Sequence, residues 1–247
     1  MAGHSKWHNI QHRKGAQDAK RGKLFTKLIR EIVVAAQMGD PDPNSNPRLR
    51  AAVDKALGNN MTKDTIQRAI KRGAGGGEDT NMMEMRYEGY GPNGVAIIVD
   101  CLTDNKNRTV ADVRHAFNKY GGNMGTTGSV AYIFEKQGIL NFDASNDEDA
   151  LMEAAINANA VDVVIQEDNS IEVITTANDF LTIKDKLIEA GFNATQADTT
   201  LIASTEVTLG LDHAQTLLKM TDAMEDLDDV QNVYTNADIP EDVLESM

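Results

Sequence analysis

Apolar positions in the first third of the chain follow the 3.6-residue period of amphipathic helices. Gly39 and the loop DPDPNSNP end the first of these helices, Asn46 is suited to cap a second that starts at Pro47, and Thr62 is suited to cap a third. The pattern therefore predicts three helices within residues 20–73. The apolar face of the first helix consists of Leu24, Phe25, Leu28, Ile29, Ile32, Val33 and Ala36.

Strand-like runs appear beyond the glycine-rich stretch GAGGGED. Residues 138–203 contain a complete β-α-β-β-α-β set. Predicted strands at 95–102, 129–134, 206–209 and 230–234, with helices at 108–120 and 211–224, complete a second set only when they are joined across the first. The sequence thus predicts an α+β multidomain protein, with an N-terminal three-helix domain and two ferredoxin-like-type α+β domains, one inserted into the other. The predicted division is a basic flexible arm (1–20), a three-helix domain (21–80), a discontinuous α+β domain (81–135 and 205–247) and an inserted α+β domain (136–204).

Charge is distributed very unevenly along these 247 residues, although the net charge is −14. Residues 1–80 carry 15 Lys and Arg against 8 Asp and Glu, whereas residues 81–247 carry 9 against 30. Within residues 1–30 there are eight basic residues and a single acid, Asp18. Such asymmetry is typical of a polyanion-binding segment attached to an acidic body.

The basic residues of the arm and first helix are suited to neutralise phosphates, and Trp7 is suited to stack on a base. Helical spacing places the cations of the first helix opposite its apolar face, so we expect them to point outward. The third helix adds a second group of cations. The predicted nucleic-acid-binding residues are Lys6, Trp7, His8, Arg13, Lys14, Lys20, Arg21, Lys23, Lys27, Arg30, Lys63, Arg68, Lys71 and Arg72.

Other motifs carry less weight. Helices two and three could form a helix-turn-helix, although the sequence signal is weak. His4, His8 and His12 are spaced by four, but no Cys or carboxylate ligand lies nearby, and we expect no metal. GGNMGTTG follows a helix and precedes a strand, the reverse of a phosphate-binding loop, and is interpreted as a turn.

Neither catalysis nor a membrane is indicated. The sequence contains no nucleophile, acid–base pair or cofactor loop, so we expect a non-enzymatic protein without cofactors. An enzyme that uses an acidic cleft between the α+β domains is the weaker alternative. No apolar run approaches the roughly 18 residues that span a bilayer. The single Cys101 lies in an apolar run and is expected to be buried in a reducing, cytoplasmic setting.

Long stretches of the sequence resemble the YebC family: AGHSKWHNIQHRKGAQDAKRGKLFTKLIREI, RAIKRGAGG, YEGYGPNGVAIIVDCLTDNKNRT, GGNMGTTGSVAYIF and DLDDVQNVYTN. The resemblance implies a helical domain followed by two α+β domains, in a cytoplasmic protein described as a probable transcriptional regulator that binds DNA. Mitochondrial relatives are called translational activators of cytochrome c oxidase, which implies ribosomal RNA as the alternative partner. Because phosphate contacts carry no sequence information, the residues leave DNA and RNA open. They also leave the oligomeric state open.

Overall fold

The computed structural model describes residues 17–75, 82–166 and 168–246. The predicted arm residues Lys6, Trp7, His8, Arg13 and Lys14, the histidines spaced by four, and most of GAGGGED lie outside the described residues. The chain divides into two compact units. One is Tyr132–Glu206, and the larger one contains the described residues before and after it.

The N-terminal helices are α1 (Gln17–Met38), α2 (Pro47–Gly58) and α3 (Lys63–Ala74). The predicted caps are confirmed, since the Asn46 and Thr62 side chains accept hydrogen bonds from the backbone N–H groups of Leu49 and Thr65. Helix α1 begins three residues earlier than predicted, because Gln17, Asp18 and Ala19 contain no helix breaker and an acid is favourable in a first turn.

Two close contacts hold the three helices together. A Cβ atom on Gly73 would lie 2.3 Å from the carbonyl oxygen of Val33, so α1 and α3 touch backbone to backbone where only glycine fits. The buried Asn46 amide donates to the carbonyls of Ala35 and Asp40, both at 2.8 Å, and links the end of α1 to the start of α2. These contacts fix which face of α3 remains outside.

Beyond α3 the chain forms both strands and helices. In chain order they are β1 (Met83–Tyr90), β2 (Ala96–Thr103), α4 (Lys106–Lys119), β3 (Asn123–Met124), β4 (Phe134–Phe142), α5 (Glu148–Asn157), β5 (Asp162–Ile165), β6 (Ile171–Thr176), α6 (Phe180–Glu189), β7 (Gln196–Ala203), β8 (Val207–Thr208), α7 (Leu211–Glu225), β9 (Val230–Thr235), β10 (Ala237–Asp238) and α8 (Glu241–Glu245).

The larger unit contains an antiparallel sheet of order β3-β1-β2-β9. Its core joins alternate side chains of β2 with Phe117 of α4 and Leu217 of α7, so both helices cover the same sheet. The short strands β8 and β10 pair in parallel as a separate ribbon. The N-terminal helices keep a core of their own, centred on Ile32 and Leu49.

The unit Tyr132–Glu206 contains an antiparallel sheet of order β5-β6-β4-β7. Leu151 of α5 and Ile183 of α6 pack on Leu140 and Val173 of the sheet. This β-α-β-β-α-β arrangement follows the order predicted for residues 138–203. The antiparallel α+β regions that follow the N-terminal helices in the chain confirm the predicted fold class.

The strands assigned to the middle domain need correction. Residues 129–134 do not form a strand of their own; Ala131–Ile133 is a 3-10 turn, and one strand, β4, runs from Phe134 to Phe142. The backbone N–H groups of Val130 and Ala131 donate to the Glu88 carboxylate, so they are not available for strand pairing. The strand predicted at 206–209 is reduced to β8, and the sheet is instead completed by β1.

Residues 132–206 expressed alone should unfold cooperatively in urea, because all four strands of their sheet and both covering helices lie within that segment. A fragment of residues 82–131 is the contrasting case, since it lacks β9 and α7 and leaves β2 without a partner on one side. Circular dichroism against urea concentration measures both. A broad, non-cooperative transition for 132–206 would contradict its autonomy.

Candidate nucleic-acid interface

Helix α3 presents its cations to solvent. Lys63, Arg68, Lys71 and Arg72 are all exposed, while Ile66, Ala69 and Gly73 on the opposite side are buried against the other helices. Arg68 pairs with Asp64 one turn earlier at 2.9 Å, and both side chains remain exposed. Such a surface pair contributes little stability and leaves the guanidinium accessible to a phosphate.

The arrangement of α2 and α3 bears on the helix-turn-helix expectation. Residues 59–62 join the two helices, with Asn60 in a left-handed conformation at φ 61°. A turn of this length fits the motif. However, both helices pack chiefly on α1 rather than on each other. Helix α3 therefore packs on α1 through its buried face, and its charged face is exposed to solvent.

The cations of α1 are placed differently from the expectation that they point outward. They contact residues 225–229, hereafter the acidic loop, where α7 ends and leads to β9. The Lys23 ammonium lies 2.7 Å from the Asp226 carboxylate, and the Lys27 ammonium donates to the Glu225 carbonyl at 3.1 Å. Arg30 donates to the Asp228 carbonyl and, at 3.2 Å, to the Asp229 carboxylate. Lys20 and Arg21 lie in the first turns of α1, and their side chains are outside the described set.

This contact satisfies the end of α7. The last turn of α7 contains no basic residue of its own, although its unpaired carbonyls and negative dipole end favour cations. Lys23, Lys27 and Arg30 supply those cations from another helix. Burial lowers the pKa of Lys27 despite the nearby Glu225 and Asp226, so enclosing this ammonium has a cost that its acidic neighbours offset only in part.

Asp229 is the centre of the contact. Its buried carboxylate accepts two guanidinium nitrogens of Arg108, with the closest N–O distance 2.7 Å, and the Thr109 hydroxyl at 2.8 Å. The Thr103 hydroxyl lies 3.2 Å from the same oxygen that Thr109 contacts. Burial alone would raise the pKa of Asp229, but the hydrogen bonds from Arg108 and Thr109, with the charges of Arg108 and Arg30, hold it below the ordinary value.

A second bridge links the N-terminal helices to the middle sheet. Arg48 of α2 holds Glu31 of α1 through two nitrogens, at 2.7 and 3.2 Å, and reaches Glu84 of β1 at 2.5 Å. Burial opposes the charge of Arg48, but these two carboxylates raise the pKa of its guanidinium. The helices are thus attached by ion pairs at two places.

The loop GGNMGTTG encloses an anion from its own chain. The buried Glu88 carboxylate accepts the backbone N–H groups of Gly128, Val130 and Ala131, each at 2.8 Å, and the Glu88 carbonyl accepts from Gly125. Burial would raise the pKa of Glu88, but these backbone donors lower it below the ordinary value. The N–H groups of Gly125 and Gly128 are therefore occupied and do not cradle a phosphate, and the segment, interpreted from sequence as a turn, also contains the short strand β3.

The described residues give no further support to catalysis or metal binding. Burial raises the pKa of the Cys101 thiol to about 12, as expected of an inert core residue. Across 17–75, 82–166 and 168–246, no group of three or more His, Cys, Asp or Glu is arranged to hold a metal ion. No helix in that part of the chain is long and apolar enough to cross a membrane.

The chain combines an N-terminal helical region, with exposed cations on α3, and antiparallel α+β regions. Comparison with known families makes this specific. Residues 5–76 match the family described as TACO1/YebC protein N-terminal domain, and residues 82–237 match TACO1/YebC second and third domain. The chain belongs to the TACO1/YebC family, which confirms the resemblance seen in the sequence.

Individual relatives are similar over nearly their whole length. A probable transcriptional regulatory protein of Hahella chejuensis is 60% identical over 247 residues, covering 100% of this chain and 99% of the relative. The transcriptional regulatory protein PmpR of Pseudomonas aeruginosa is 61% identical over 244 residues, covering 99% and 98%. The crystal structure of a conserved hypothetical protein from Aquifex aeolicus has a TM-score of 0.82 at 44% identity, covering 92% of this chain and 95% of that one.

Replacing Asp229 by Asn should destabilise the protein by about 1.5–3 kcal/mol, the usual contribution of a hydrogen bond to a charged group. The loss stays below that of a fully buried pair, because Arg108 can still reach water. Asp226→Asn is the matched control: its carboxylate pairs with the exposed Lys23, so about 0–1 kcal/mol is expected. Urea denaturation measures both, and equal losses would contradict a central role for Asp229.

Lowering the pH should reduce the difference in free energy of unfolding between the wild type and the Asp229→Asn variant. The pKa of Asp229 is lower in the folded than in the unfolded state, so its contribution is complete above the unfolded pKa of about 3.9 and is lost as the pH falls toward the folded value. Free energies of unfolding measured from neutral pH down to below pH 4 should therefore converge. A difference that persists unchanged at the acid end would show that the amide acts through shape rather than charge.

Proposed function

We propose that this chain is a nucleic-acid-binding regulator of gene expression that acts without catalysis, and that its main contacts lie on α3 and the basic segment before α1. The observation that carries the proposal is the outer face of α3. Four of its cations, Lys63, Arg68, Lys71 and Arg72, are exposed, and the opposite face of the helix is committed to the core. A row of this kind is suited to successive phosphates of a backbone.

The cations of α1 form a weaker candidate than the sequence suggests. Lys23, Lys27 and Arg30 are already bound to carboxylates and carbonyls of the acidic loop, so a phosphate would have to replace those partners. Breaking the Arg30–Asp229 contact would leave a buried carboxylate with one guanidinium fewer. Among the predicted residues that the structure describes, the α3 cations are therefore favoured. The arm residues Lys6, Trp7, His8, Arg13 and Lys14 lie outside the described residues and stay in the proposal on their sequence alone.

Regulation of transcription through DNA is the first candidate. Two relatives of 60–61% identity match nearly the whole chain. One is named a probable transcriptional regulatory protein and the other a transcriptional regulatory protein. In this reading α3 lies along the duplex, its lysines and arginines contact phosphates, and the exposed Gln67 between them is the side chain best suited to a base edge.

Binding of ribosomal RNA in translation is the second candidate, and a specific observation favours it. The exposed side chains of α3 include four cations and one acid, Asp64, and α2 and α3 pack on α1 rather than as a compact helix-turn-helix. Such a surface recognises backbone shape rather than sequence, as proteins that bind structured RNA often do. Either activity belongs in the cytoplasm.

Removing two α3 cations should weaken binding uniformly across sequences. For Lys63→Gln with Lys71→Gln, the slope of log affinity against log salt should become shallower by about 2, one per phosphate contact. The matched control is Lys23→Gln with Lys27→Gln, which removes the same charge from α1 and should leave the slope nearly unchanged. Fluorescence anisotropy with a labelled DNA duplex and a labelled hairpin RNA of equal length gives both slopes. A larger change in the α1 variant would move the interface to α1.

Crosslinking in cells distinguishes the two candidate functions. Ultraviolet crosslinking followed by immunoprecipitation of the full chain should recover nucleic acid from the wild type and much less from the Lys63→Gln, Lys71→Gln variant. Recovery of dispersed genomic DNA would support transcription, and recovery of ribosomal RNA would support translation. Recovery of neither above an untagged control would overturn nucleic-acid binding as the function.

A further inference from the structure

Helix α4 carries a concentration of cations within the acidic part of the chain. Residues 81–247 contain nine Lys and Arg against 30 Asp and Glu, yet α4 alone contains four of those nine and a single acid, Asp112. The helix therefore has a positive net charge within a segment whose net charge is strongly negative. One of the four, Arg108, is held by Asp229 and Asp104, which leaves the C-terminal half of α4 to be explained.

The C-terminal half of α4 exposes four polar side chains, Arg114, His115, Asn118 and Lys119, hereafter the α4 patch. Arg114 and Asn118 are four residues apart, as are His115 and Lys119, so they form two adjacent rows on one helix face. On the opposite face Val113, Ala116 and Phe117 are buried in the core of the larger unit. Packing therefore fixes the orientation of the patch toward solvent.

Helix stability alone does not account for the patch. Cations near a helix C-terminus interact favourably with the dipole, but the effect is about 0.3–1 kcal/mol and falls off within the last turn, which holds Lys119 and not Arg114. Lys119 lies over the ring of Tyr120, 5.3 Å from its centre. Within the part of the chain that the structure describes, the side chains of Arg114 and His115 have no hydrogen-bonding or ion-pair partner.

The segment that follows the patch is polar, and its backbone is hydrogen-bonded to Glu88. The glycine-rich loop begins after Tyr120, the residue that follows Lys119. Near its end, the backbone N–H groups of Gly128 and Val130 donate to the Glu88 carboxylate. Thr126 and Thr127 at its tip are exposed. Hydroxyl groups on a fixed backbone are suited to accompany charged contacts to phosphate oxygens. A protein partner would instead require an apolar centre with charges at the rim, and the α4 patch has no apolar side chain.

We propose that the α4 patch is a second phosphate-binding surface, which contacts the sugar–phosphate backbone of the nucleic acid bound by α3. The inference rests on the proposed function and extends it to a different domain. The rest of the α+β body is strongly acidic and repels a polyanion, so a cationic patch there determines which side of the body approaches the backbone. Contact at both α3 and α4 would give a longer footprint than the N-terminal domain alone.

The test removes two charges from the patch in the full chain. Arg114→Gln with Lys119→Gln should reduce the slope of log affinity against log salt by about 2, for duplex DNA or hairpin RNA, whichever the wild type binds. Lys136→Gln with Lys219→Gln is the matched control, because both lysines are exposed and lie on other elements of the acidic body. The control removes the same charge and should leave the slope unchanged. Thermal melting checks that both variants fold as the wild type does.

The outcomes separate this inference from the function on which it rests. If Lys63→Gln with Lys71→Gln reduces the salt dependence of binding but Arg114→Gln with Lys119→Gln behaves as its control, the α4 patch is not a binding surface and the proposed function stands. If the wild type binds neither DNA nor RNA, both the proposed function and the role of the α4 patch are wrong. Asp112→Asn provides an independent check in the opposite direction: loss of the one acid on α4 should strengthen binding, and weaker or unchanged binding would count against the patch.

Discussion

The buried carboxylate of Asp229 is the interaction on which the arrangement of the larger unit depends. It lies where α7 gives way to β9, and it accepts hydrogen bonds from Arg108 and Thr109 of α4 and from Arg30 of α1. One side chain thereby joins the N-terminal helices to the sheet and to its covering helix. A buried charge without these partners would be costly, so the three elements are held in register by the need to satisfy it.

The contacts between α1 and the acidic loop change which basic residues are exposed. The basic start of the chain is not a uniform polycation, because α1 uses Lys23, Lys27 and Arg30 to complete the end of α7. What remains exposed is a more selective set of cations, on the outer face of α3 and in the α4 patch. In the complex that we propose, repulsion from acidic residues would limit the orientations in which a polyanion can bind.

Much of the architecture follows from local patterns in the sequence. The helical period places Leu28 and Ile32 in the core, and Asn46 and Thr62 begin their helices as their side chains predict. The outward position of Lys63 and Lys71 also follows from the apolar residues between them. The absence of a strand at 129–134 could not be predicted in this way, because these residues look extended in the sequence but the N–H groups of Val130 and Ala131 are bound by Glu88, about forty positions earlier in the chain.

The sequence by itself determined the helices and their caps, the antiparallel α+β class, the burial of Cys101 and the family. Each depends on residues within a few turns of one another, or on motifs that can be read directly. Only the tertiary structure decided which cations remain available to a ligand. Arg30 and Asp229 are 199 positions apart, and no periodicity or spacing relates them. The charged residues can be counted from the sequence, but only the folded structure decides which of them pair, because ion pairs form between groups that packing brings within a few ångströms.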